Sequence, residues 1–161
     1  MAVRQPAARP EPMAPAAALP SSVLQSFWIM RVIYAIAPII AGADKFFDIL
    51  TDWKQYLAPV FPQVLRVSPD LFMRGVGVIE IVAGILVAIW PRFFAYLVMV
   101  WLWGIVVDLL VLGKFYDVAL RDFGLSIGAL SLGRIAQAVW ETRRSSARLS
   151  ASDRGTVRRD R

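Results

Sequence analysis

Four stretches of the chain are apolar over about 20 residues, the length a helix rising 1.5 Å per residue needs to cross about 30 Å of hydrocarbon. They cover residues 23–42, 71–90, 93–112 and 118–139. Each predicts a membrane-spanning helix. Pro38 predicts a kink in the first, which membrane helices tolerate when neighbours satisfy the freed carbonyl. Ser68-Pro69-Asp70 supplies the second with a cap, a first-turn proline and an acid at the positive dipole end. Only Trp90-Pro91-Arg92 separates the second from the third, so these two helices must be antiparallel neighbours. Gly113 suits the end of the third, and Asp117 the cap of the fourth.

Between the first two spans the pattern changes. Phe46, Leu50, Trp53 and Leu57 recur at helical spacing, while Asp48, Thr51, Asp52 and Gln55 take another face. This predicts an amphipathic helix over 46–58, lying in the membrane interface. The predicted fold class is therefore all-α: a transmembrane four-helix bundle over 23–140 with one interfacial helix between spans 1 and 2. Residues 1–22, rich in Pro and Ala, and residues 141–161, rich in Arg, read as disordered tails. Four spans put both tails on one side. Seven arginines beyond residue 140 place that side in the cytoplasm.

Composition narrows the chemistry. The chain is 58% hydrophobic and has neither Cys nor His. Thiol relays and thiolate or imidazole metal sites are excluded, and no metal site is expected. The net charge is +6, concentrated in the C-terminal tail, where anionic lipid rather than nucleic acid is the expected partner. The six tryptophans read as interfacial anchors.

The unusual feature is charge inside the spans: Arg31, Arg74, Glu80, Asp108, Arg121, Asp122 and Arg134, with Asp44-Lys45 closing the first. A charge at the bilayer centre costs about 3 kcal/mol on insertion scales, so these side chains turn inward and pair. Topology brings Asp44, Lys45, Arg74, Asp108, Arg121 and Asp122 to one end, with Glu80 about 13 Å below the start of its helix. Arg31 and Arg134 fall toward the other end. Gly77 and Gly84 flank Glu80, Gly104 shares a face with Trp101 and Asp108, and Gly124 and Gly128 share one with Arg121, as helix-contact faces require. Two readings stand. One is an outward-opening polar cavity with Glu80 at its base as a proton-exchanging carboxyl and Arg74 or Arg121 as anion contacts. The other is an interhelical ion-pair network that fixes register.

The run Gly42-Ala43-Asp44-Lys45-Phe46 and the stretch from Arg74 through Gly84, a G-x-x-E-x-x-x-G pattern, resemble the DoxX-like (DoxX and MauE type) membrane proteins. Arg121-Asp122-Phe123 opening the fourth span is similar too. The resemblance covers roughly Val23–Val139 and implies a four-helix bundle whose polar positions fall on Lys45, Glu80 and Asp108. It further implies a link to membrane redox systems, such as a thiosulfate:quinone oxidoreductase subunit. The expected role is an accessory subunit, not catalytic on its own. Its expected partners are the bilayer, oxidoreductase subunits and further copies of itself, with quinone as the possible cofactor. The alternatives are a small-solute or proton-coupled carrier, or a membrane scaffold.

Overall fold

A computed structural model describes residues 19–159, and these are helical with no strand. The elements are α1 (Ser21–Asp44), a 3-10 turn (Trp53–Tyr56), α2 (Val60–Leu65), α3 (Pro69–Ile89), α4 (Pro91–Leu112) and α5 (Tyr116–Arg159). Among the described residues, α1, α3 and α4 are long and apolar enough to cross a membrane. α5, expected to supply a fourth span over 118–139, is not among them, because Asp117, Arg121, Asp122 and Arg134 interrupt its apolar run.

Local chemistry sets the helix ends. The Ser68 hydroxyl accepts the Leu71 N–H at 3.2 Å, and Pro69 follows at the first helical position. One residue, Trp90, links α3 to α4. Gly113 ends α4 at φ 70°, the left-handed cap that lacks a Cβ penalty, with its N–H on the carbonyls of Leu109 and Leu110. α5 starts two residues earlier than expected, so Asp117 stands in its first turn rather than at the cap.

α1 packs along α3 and α4 along α5, with smaller contacts from α3 to α4 and from α5 back to α1. At one end Phe27, Val87, Val98, Leu132 and Val139 fill the core among Ala83, Ala95, Ala129 and Ala136. A smaller cluster, Val106, Leu109 and Ala119, lies beneath Tyr56 and Phe115 at the other end. The outer surface carries the bulk: Ile29, Ile33, Ile36 and Ile40 on α1 and Val78, Val82, Ile85 and Ile89 on α3 are exposed. Small residues and charges inside with branched aliphatics outside is the arrangement expected where lipid is the solvent.

Three expectations are corrected. No amphipathic helix forms over 46–58. The Asp44 carboxylate accepts the backbone N–H groups of Ile49 (3.0 Å) and Leu50 (3.0 Å), and Asp48 turns to φ 51°. That side-chain capture offers the backbone an alternative to helix, leaving a loop and the 3-10 turn before α2. The tail from 141 is helical through Arg159. It holds no Pro, its first Gly is Gly155, and Thr142 and Ser146 return their hydroxyls to the carbonyls of Ala138 and Thr142. Of the tail expected over 1–22, residues 1–18 lie outside the described residues, and Ser21 and Ser22 already belong to α1.

Candidate functional site: a buried charge cluster

Two glycines set the site. A Cβ added at Gly42 would lie 2.5 Å from the Gly77 carbonyl oxygen and 3.0 Å from the Glu80 Cβ. One added at Gly77 would lie 2.6 Å from the Gly42 oxygen and 3.2 Å from the Lys45 Cβ. α1 and α3 therefore meet backbone to backbone, each glycine facing the charged residue that stands three positions beyond its counterpart. Gly84 repeats the approach against the Ala35 carbonyl. The small face expected around Glu80 is thus a helix contact. Gly104 and Gly124 are different: each faces open space, and Gly128 lies under the Tyr34 hydroxyl.

Across this contact Lys45 Nζ donates to Glu80 Oε2 at 2.6 Å, both side chains being almost fully buried. The ammonium also stands 3.7 Å from the centre of the Trp53 ring. Trp53 is fixed from its other side, its indole N–H donating to Asp44 Oδ2 at 2.7 Å. α4 contributes Trp101, whose buried indole N–H is directed toward the Glu80 carboxylate without completing a hydrogen bond. α5 contributes Asp122, which is buried. Arg121 Nε holds Asp122 Oδ1 at 2.9 Å from a largely exposed position.

Of the seven expected site residues, then, Lys45 and Glu80 pair, Asp44 joins them through Trp53, and Asp122 is buried on α5 in a pair with Arg121. Arg121 engages Asp122 through its Nε and is otherwise largely exposed. Asp108 stands apart: its carboxylate accepts the Ala58 N–H at 3.0 Å, tying the loop to α4. Arg74 is exposed at the mouth of a pocket of about 40 Å³ that Lys45, Phe46, Asp48, Lys54, Asp70 and Met73 also line. The pocket reaches Lys45, and Glu80 is not on its wall. Lys54 bridges to Asp70 at 2.9 Å beside it, and this hydrogen bond holds the Lys54 ammonium above its ordinary range. Trp53 and Trp101, read from sequence as interfacial anchors, both serve the cluster. The sequence signal for Trp101 was its spacing from Asp108, which pointed to the wrong carboxylate.

At the opposite end Arg31 donates to the Ala88 carbonyl, one of the unpaired acceptors in the last turn of α3, and stacks over Trp28 at 4.9 Å. An open apolar groove of about 490 Å³ runs along Ser21, Leu24, Gln25, Trp28 and Ile29 there.

The family model DoxX matches residues 26–113. The chain belongs to the DoxX family. The match includes Lys45, Glu80, Trp101 and Asp108 and stops at the end of α4, so Arg121 and Asp122 lie beyond it. With three membrane-length helices, this DoxX-family chain is an integral membrane protein. Comparison with curated proteins and with solved structures gives no match.

Proposed function

We propose that this DoxX-family chain crosses the bacterial cytoplasmic membrane four times, with both termini cytoplasmic, and serves as a non-catalytic accessory subunit of a quinone-linked redox complex. The first half of α5 is the fourth crossing in this reading. Its Asp122 and Arg121 pair with each other, and its buried face packs on α4, which lowers the cost of carrying charge into lipid.

The observation that carries the non-catalytic part is the closure of the Lys45–Glu80 pair. The two charges are spent on each other, with Trp53 against the ammonium, and Glu80 does not line the small adjoining pocket of about 40 Å³. Quinone in such a complex belongs at the junction with a partner subunit, against the broad apolar faces of α1 and α3. The test is purification in mild detergent: oxidoreductase subunits or quinone should accompany the chain, and a clean, ligand-free homo-oligomer rejects the role.

A second reading, proton-coupled transport of a small solute, draws on two buried carboxylates, Glu80 and Asp122, near one buried lysine. Glu80→Gln in proteoliposomes should then abolish a pH-dependent flux, and unchanged flux removes Glu80 as the coupling group.

A further inference from the structure

The end of the molecule where α4 begins carries a second cluster that the buried ion pair does not explain. Arg92, in the first turn of α4, lies 4.2 Å from the centre of the Trp140 ring and 4.4 Å from that of Phe93. Arg144, one turn beyond Trp140 on α5, lies 5.0 Å from the same indole. Two guanidinium groups from two helices thus converge on one aromatic ring. Among the described residues neither has a carboxylate in ion-pair range. The surroundings add no compensating acid. Arg31, Arg134, Arg143 and Arg148 belong to this end, where Glu141 is the one acid between Arg134 and Arg148. Trp140 is itself 41% exposed.

Two guanidinium groups drawn to one ring carry like charge, and an oxyanion bound by both relieves their repulsion. Arginine's planar fork matches the two free oxygens of a phosphate. The position also fits: Trp90, Phe93 and Trp140 form an exposed aromatic group at the end of the apolar helices, where headgroups lie. We propose that Arg92, Arg144 and Trp140 form a binding site for a phosphate oxyanion, supplied by the headgroup of an anionic phospholipid. The site is independent of the accessory-subunit reading and of the Lys45–Glu80 pair.

The test is retention of phosphatidylglycerol against phosphatidylcholine by the full-length protein in neutral detergent, read by native mass spectrometry. Phosphatidylglycerol should be retained over phosphatidylcholine. Arg92→Gln with Arg144→Gln should cut that retention at least about tenfold, since it removes both planar forks that hold the phosphate oxygens. Arg143→Gln with Arg148→Gln makes the same change in net charge and should leave most of it. Trp140→Leu, which keeps both charges, should weaken retention and covers the case in which the first double variant does not fold. Equal retention of the two lipids, or equal loss in both double variants, overturns the site. A parallel arm adds sodium phosphate at constant ionic strength. Binding of inorganic phosphate with the same arginine dependence, but no preference between the lipids, overturns the lipid as its source.

Discussion

Gly42 and Gly77 touch through their backbones, and each faces the charged residue of the other helix: Gly42 faces Glu80, and Gly77 faces Lys45. This interlock lets the lysine that caps α1 reach a carboxylate well inside α3. Gly42→Ala or Gly77→Ala places a methyl within 2.6 Å of a carbonyl oxygen, so the helices must separate. Each should lower stability by about 1–3 kcal/mol, the usual cost of overpacking. Gly75→Ala, with open space around it, should be neutral or stabilising by up to about 1 kcal/mol through helix propensity. Thermal unfolding in detergent compares the three.

Asp44 holds the loop after α1 through the N–H groups of Ile49 and Leu50 and the indole of Trp53. Asp44→Ala should free residues 46–57 while α1 and α3 stay folded. Hydrogen exchange should show lost protection confined to that loop, and unchanged exchange there contradicts the assignment.

Lys54 is exposed and hydrogen-bonded to Asp70, which raises its proton affinity above the ordinary 10.5. A raised folded value means the bond's contribution is complete below 10.5 and disappears as pH rises through the folded value. NMR of labelled lysine side chains should find one ammonium titrating above 10.5, returning to the ordinary value in Asp70→Asn. The same protein in high salt should show a smaller displacement.

The absence of cysteine makes topology measurable without background. Single cysteines at Gln63 and Lys114 should react with an impermeant maleimide from outside the cell, and one at Ser146 only after permeabilisation. Labelling of Lys114→Cys and Ser146→Cys from the same side shows that α5 does not cross.

Much of the fold was legible because its signals are local. Ser68-Pro69, Trp90-Pro91 and Gly113 mark helix ends by chemistry acting within one turn. The G-x-x-K and G-x-x-E spacings held the α1–α3 interlock, since a glycine three residues before a charge puts both on one helix face. The loop over 46–58 was misread because its helical periodicity lost to a carboxylate contributed from outside it. α5 ran past Val139 because charged and small residues without proline sustain a helix as well as a tail. Asp108 was drawn into the cluster by depth alone, whereas its partner, the Ala58 N–H, is 50 residues away in sequence. Trp101 and Trp53 were grouped with the interfacial aromatics because composition does not say which way an indole points.

The most direct measurement is a double-mutant cycle on the Lys45–Glu80 pair. Lys45→Met and Glu80→Leu each strand one buried charge and should each cost about 3–5 kcal/mol, whereas the double variant, which buries no unpaired charge at this position, should recover most of that loss. Additive losses, with the double variant as unstable as the two singles combined, would contradict the pairing on which the account rests.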